Sequence, residues 1–429
     1  MHDLTNKAKR IPAGFHLLLS GQVLSLTGAQ ITTLALPLTA IHLNHANSFE
    51  TGILLACGRM PYLLLGLFVG LLVDNVSHRL LLMAANMVIA LVLSTIPLAV
   101  FWNGHVSMFH LYTAATLVGA AMVITDITFL SWVPAIVPHT LWVKAQSRLE
   151  LGQSAAMIVG LPLAGWLIAT FSAPTAIVAN IVALLLMTAL LPYVTTGSQP
   201  GTSMAPHAAP EAPRATSSGT LRRILTGAIE GAQFLLHTPP LRAATFATAT
   251  LIFFYSAYSA LFILYLSGSL QLTPEKIGIV TSFAAVGSVT GALLSGIAAR
   301  WLGLGRVLVT AIIISAGGAL LCPLLQGEIA VGLSQSIMWF GMQIYNVHQV
   351  PIRYTLSPAA IHGRINASIR TLVWGLAPLG AVLGGACGTF LGIRLSLLFA
   401  AILMALAAIW IVLSPLWKVR TPQLSQKPG

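Results

Sequence analysis

Apolar runs of roughly 20 residues follow one another along most of this 429-residue chain, and nothing else constrains its fold so tightly. A run of that length crosses a hydrocarbon layer about 30 Å thick as one helix. In lipid every backbone amide must find its partner within its own segment or in a closed barrel. Barrel strands alternate apolar and polar residues over about ten positions, and these runs do not alternate. The expected fold is an all-α membrane protein with spans near 14–42, 51–72, 80–101, 107–130, 147–170 and 174–194, then 241–267, 275–298, 305–326, 330–350, 364–388 and 393–416. Only 7% of the residues are charged, against about a quarter in a soluble chain. The first run is too long for a signal-peptide core and lacks a cleavage site, so it is read as a span. Cys57, Cys322 and Cys387 lie inside apolar runs without metal-ligand spacing and are read as packing residues.

The spans divide six and six around "TTGSQPGTSMAPHAAPEAPRATSSGT" (195–220), a Pro-, Ser-, Thr- and Gly-rich stretch that reads as a flexible linker. The following "LRRILTGAIEGAQFLLH" (221–237) has apolar residues at helical spacing behind two arginines, as expected of a helix lying on the membrane surface. The expected organisation is therefore a bundle over 1–194, a linker with an amphipathic helix over 195–240, a second bundle over 241–416 and a tail over 417–429. Placing the N-terminus in the cytoplasm puts 18 of the 21 Lys and Arg on that side. Only Lys276 and Arg394 then lie outside, with Arg59 inside a span. By the positive-inside rule both termini are cytoplasmic. This asymmetry also accounts for the formal net charge of +12, and no basic tract with stacking aromatics calls for nucleic acid.

The two halves resemble each other. Shifted by 220 residues, "VPHTLWVKAQSRLELGQSAAMIVGLPLAGW" (137–166) falls on "SPAAIHGRINASIRTLVWGLAPLGAVLGGA" (357–386), pairing Pro138 with Pro358, Lys144 with Arg364, Gln146 with Asn366, Gly160 with Gly380 and Gly165 with Gly385. A slightly different offset sets "GLFVGLLVDNVSHR" (66–79) on "ALLSGIAARWLGLGR" (292–306), with Gly70 on Gly296. Two tethered six-span halves imply a body that rocks about a central cavity.

The turn "GLLVDNVSHRLLL" (70–82) resembles the loop signature between spans two and three of the major facilitator superfamily. Gly70, Leu72, Asp74, Arg79 and Leu82 fit it, whereas Asn75, Ser77 and His78 depart from it. "SWVPAIVPHTLWVKAQS" and "QVPIRYTLSPAAIHGRINAS" resemble the segments before spans five and eleven in the branch that includes macrolide and enterobactin exporters. "GLPLAG" (160–165) is similar to the Gly-Pro signature of antiporter span five, with its proline displaced by one residue.

The resemblance implies two pseudo-symmetric six-helix bundles, with span two against span eleven and span five against span eight. Asp74 would then face Arg370, and Arg300 would face Glu150, as two ion pairs of opposite polarity related by the repeat. With His78, Arg79 and Asp126 these residues are expected to form a cytoplasmic latch, which parts when the cavity opens inward. The alternative is that Asp74, His78 and Arg79 only set topology and cap helix ends. The resemblance also implies a cavity lined by spans one, four, seven and ten. Candidate lining residues are Gln22, Ser25, Thr32 and Thr33, then Tyr255, Tyr258 and Phe262, then Gln335, Trp339, Gln343 and Asn346. Tyr265 is expected in the interfacial belt. Arg59 either snorkels to the outer surface or faces the cavity, attracting an anionic substrate or organising the gate.

A mostly apolar wall with few polar anchors suits a bulky amphipathic molecule. Asp126, Glu150 and His348 are the candidates for proton coupling. No phosphate loop, metal cluster or Ser–His–Asp arrangement appears, so neither an enzyme nor a cofactor is expected. The expected function is export from a bacterial plasma (inner) membrane in exchange for protons by a single multi-pass chain, a monomer, whose partners are its small-molecule substrate, the proton and the lipid bilayer. The alternatives are an importer or facilitator of a small metabolite, and a non-transporting sensor.

Overall fold

The computed structural model describes residues 12–137, 141–194, 230, 233–356 and 362–418. Its helices are α1 (Ala13–Asn44), α2 (Ser48–Asn75), α3 (His78–Asn103), α4 (Met108–Ile136), α5 (Trp142–Phe171) and α6 (Ala173–Leu190). The second half comprises α7 (Pro239–Leu264), α8 (Pro274–Leu302), α9 (Leu304–Leu321), α10 (Glu328–Leu356), α11 (His362–Leu391), α12 (Ile393–Ala405) and α13 (Ala407–Val412). Only Leu406 separates α12 from α13, and the two together make the last crossing. No strand forms among the described residues. Ten segments among them are long and apolar enough to cross a membrane, and α2 and α10 complete two bundles of six. The linker at 195–220 lies outside the described residues, as does most of 221–237, of which Glu230 and 233–237 are helical.

Local chemistry fixes where the helices begin. Asn47 and Glu50 form a capping box at α2: the Asn47 side chain accepts from Glu50 N at 2.9 Å, and Glu50 Oε2 accepts from Asn47 N at 2.8 Å. Ser77, one of the residues that departs from the loop signature, caps α3 through Leu80 N, and Ser107 caps α4 through His110 N. Such side chains satisfy amides that the first helical turn leaves without partners. Pro239 and Pro274 open α7 and α8, where a missing N–H costs nothing.

Among the described residues the halves approach most closely at two helix crossings, both toward the end opposite that at which α1 begins, here called the distal end. At the first, α2 lies on α11: a Cβ on Gly52 would stand 2.6 Å from the Ala381 carbonyl oxygen and 2.9 Å from Gly385 Cα. At the second, α5 lies on α8, where a Cβ on Gly165 would stand 2.5 Å from the Pro274 carbonyl oxygen and 3.1 Å from Gly278 Cα. Helices approach this closely in membranes because small residues expose the backbone to its neighbour. Toward the proximal end of α8 the packing opens, and a Cβ on Gly296 would meet nothing within 4 Å.

Candidate functional site

Between the halves, beneath the distal crossings, lies a cavity of about 560 Å³. It runs from Thr51 and Leu264, near the distal end, to Asp126 and Trp374, past mid-depth. Its two walls differ in chemistry. The C-terminal half supplies aromatic rings: Tyr255 meets Trp339 edge to face at 5.7 Å, and Tyr258 stacks on Phe262 at 5.7 Å. Gln335 Nε2 donates to the Tyr258 hydroxyl at 2.9 Å and so fixes that ring. The N-terminal half supplies hydroxyls and two charged groups. Thr32 accepts from Asn180 Nδ2 at 2.7 Å, and the Thr33 hydroxyl donates to the Ala29 carbonyl.

The two charged residues come from α2 and α4, which touch where Gly119 abuts the Gly58 carbonyl. Arg59 is the twelfth residue of the 28-residue α2, and its guanidinium carbon lies over the Trp374 ring, 5.6 Å from the centroid. Tyr62, one helical turn on, donates its hydroxyl to Asp126 Oδ2 at 2.5 Å and packs beside Trp374 at 6.1 Å. Pro61 between them leaves the Cys57 carbonyl without its helical donor.

The expected lining residues divide by depth and by face. Thr32, Thr33, Arg59, Tyr255, Tyr258, Phe262, Gln335 and Trp339 line the cavity. Gln22 and Ser25 do not, because they lie below its α1 wall, which starts at Ala29. Gln343 is turned to α8, accepting from the Ser288 hydroxyl at 3.1 Å, and Asn346 lies beyond the cavity on the same helix. Tyr265, expected in the interfacial belt, is packed inside the bundle at 4% exposure, where α7 passes into a π-turn over Tyr265–Ser269.

Asp126 requires a correction. It was expected near the proximal end of a span finishing at 130, but α4 continues to Ile136. Asp126 consequently sits about 6 Å from the helix midpoint at the usual rise and lines the cavity. Arg79 does not reach across to the other half, since its Nη2 donates to the Val194 carbonyl at 2.7 Å, tying α3 to the end of the first bundle. His78 opens α3 beside it. The side chains of Asp74 and Arg370 lie outside the described residues. Glu150 and Arg300 are both exposed, and no ion pair joins these two described residues in this conformation, whereas Lys276 and Glu328 pair at 3.1 Å. His348 Nδ1 bonds the Ile344 carbonyl of its own helix and does not line the cavity.

Spacing along single helices did not reveal Tyr62 or Trp374. Their part comes from the α2–α11 crossing, and the available signal was that Tyr62 lies three residues after Arg59. Among the described residues, no group of three or more His, Cys, Asp or Glu is placed to hold a metal ion.

The arrangement has counterparts among solved structures. A bacterial homologue of the iron transporter ferroportin, in an inward-facing state, superposes with a TM-score of 0.71 at 15% identity, covering 94% of this chain and all of the other. The nucleoside transporter NupG gives 0.70 at 12% identity over 94% and 98% of the two chains. A bacterial homologue of the human lysosomal transporter Spinster, inward-facing and unoccupied, gives 0.66 at 14% identity over 93% and 95%. At these identities the likeness is one of fold. No curated protein matches the sequence. The family model of the Major Facilitator Superfamily matches residues 18–378. With twelve crossings in two six-helix bundles around a central cavity, this multi-pass membrane chain belongs to the Major Facilitator Superfamily.

Proposed function

We propose that the chain is a secondary active transporter that exports a bulky amphipathic organic compound, of the drug, antibiotic or siderophore kind, by alternating access in exchange for protons. The supporting observation is the cavity itself: an aromatic wall facing a hydroxyl-bearing wall, in a volume within the range of drug-sized sites. Asp126 is the one carboxylate among the described lining residues. On this reading it takes up and releases the proton, and Tyr62 holds it in place.

The chain works as a monomer in a bacterial plasma membrane, with both termini cytoplasmic. The glycine crossings then close the outer side, and the cavity empties inward. Asp74 with Arg370, and Glu150 with Arg300, form the latch that joins the inner ends in the outward-open state. Inverted vesicles with an imposed pH gradient test the proposal. Gradient-driven accumulation of amphipathic drugs, lost in Asp126→Asn, is the expected result. Uptake confined to right-side-out vesicles would refute export and favour an importer.

A further inference from the structure

Among the described residues, Arg59 forms no ion pair, and the carboxylate that shares its cavity, Asp126, accepts a hydrogen bond from Tyr62. A Lys or Arg deep in a membrane helix ordinarily lengthens toward the nearer surface or pairs with an acid. Arg59 does neither. It stands about 16 Å along α2 from the distal end at the usual rise, yet its head lies over Trp374, a residue past mid-depth in α11. The side chain thus points inward to the opposite half, away from the distal surface. No acid among the described residues comes within 4 Å of its guanidinium. The guanidinium carbon lies over the Trp374 ring, 5.6 Å from its centroid, and a cation–π contact of this kind does not occupy the N–H donors. Those donors form the fork that matches the paired oxygens of a carboxylate, sulfonate or phosphate.

We propose that Arg59 is the recognition site for an oxyanion on the transported molecule, and that the cargo is an organic anion with an apolar or aromatic body. The inference rests on the reading of this cavity as the transport site and assigns its polarity. The anionic head meets Arg59 in the N-terminal half, and the body lies against Tyr255, Trp339, Tyr258 and Phe262. An anion leaving the cell moves with the inside-negative membrane potential, so its charge is compatible with the proposed outward direction.

Three naphthalenes of matched size provide the test: the 2-sulfonate, the neutral 2-methanol and the 2-trimethylammonium. Their binding to the full chain in lipid nanodiscs is measured by calorimetry, with empty discs subtracted. The sulfonate is expected to bind at least about tenfold more tightly than the alcohol, as charge-assisted hydrogen bonds allow. Arg59→Gln should erase that difference while leaving the alcohol's Kd within about twofold, and Arg59→Lys should keep part of it. Equal binding of sulfonate and alcohol by the unmodified chain, preference for the cation, or persistence of sulfonate preference in Arg59→Gln would overturn the proposal while leaving the amphipathic cavity intact. Failure of all three compounds to bind the folded, unmodified chain would overturn the cavity reading itself, and this inference with it. Should Arg59→Gln not yield monodisperse protein, the selectivity of the unmodified chain among the three compounds still decides.

Discussion

A single methyl added at Gly52 tests whether the α2–α11 crossing holds the distal end shut. The new Cβ would stand 2.6 Å from the Ala381 carbonyl oxygen, where ordinary contact begins at 3.4 Å, so a backbone must retreat by about 0.8 Å. Neither near neighbour is a flexible side chain, and forcing a methyl into a packed contact costs ~1–3 kcal/mol. That cost falls only on the state in which the helices touch. The helix-propensity gain of Ala over Gly, about 0.5–1 kcal/mol, applies to both states and cancels. The equilibrium should therefore move ~5–150-fold toward the distally open state, at about 1.4 kcal/mol per tenfold. The readout is labelling of Thr33→Cys on the cavity wall by an impermeant maleimide confined to the distal side. The slow background from native Cys57, Cys322 and Cys387 is subtracted. Labelling should accelerate about fivefold or more. Gly278→Ala, at the companion crossing and 2.5 Å from the Leu161 carbonyl oxygen, should act alike. Gly296→Ala, whose methyl enters open space, is the control. Equal labelling rates in Gly52→Ala and Gly296→Ala would refute the reasoning.

Other consequences follow from the cavity contacts and from the proposed latch. Tyr62→Phe should leave Asp126 without its phenol donor and weaken proton-driven transport less than Asp126→Asn does, as read by pH-gradient uptake in vesicles. Asp74→Arg should cripple transport and Arg370→Asp should partly restore it; full transport by the single variant would exclude the latch. Tyr258→Phe keeps the stack on Phe262 but removes the hydroxyl that accepts from Gln335 Nε2, and should cost ~0.6–1.7 kcal/mol of stability by detergent melting, the range for hydrogen bonds between membrane helices.

The twelve crossings were legible because a membrane permits one backbone solution for a long apolar run. Their ends were less so: helices continue past the hydrocarbon into the interface, where hydropathy gives no boundary. That displaced Asp126, since α4 runs six residues beyond its expected end. The repeat carried more than it first disclosed. The offset that sets Gly165 on Gly385 pairs the two glycines contributed by α5 and α11, and the offset that sets Gly70 on Gly296 also sets Gly52 on Gly278. Those four residues make both crossings. Spacing on α1 and α7 located Thr32, Thr33, Tyr255, Tyr258 and Phe262, because straight helical periodicity suffices there. On α10 it failed at Gln343, eight residues after Gln335 and so about 80° round the helix at 3.6 residues per turn. The meeting of Arg59, Tyr62, Asp126 and Trp374 depends on three helices converging, which no pattern along one of them encodes.

The unlike walls of the cavity break the symmetry that the duplicated shell retains. A ligand in a truly twofold chamber could lie either way round with equal energy. Here the charged groups come from one lobe and most of the rings from the other, so the two orientations are unequal in energy. On the transport cycle proposed above, a cargo held by its charge would be moored to the first lobe, travel as part of it when the lobes tilt, and slide only across the aromatic side.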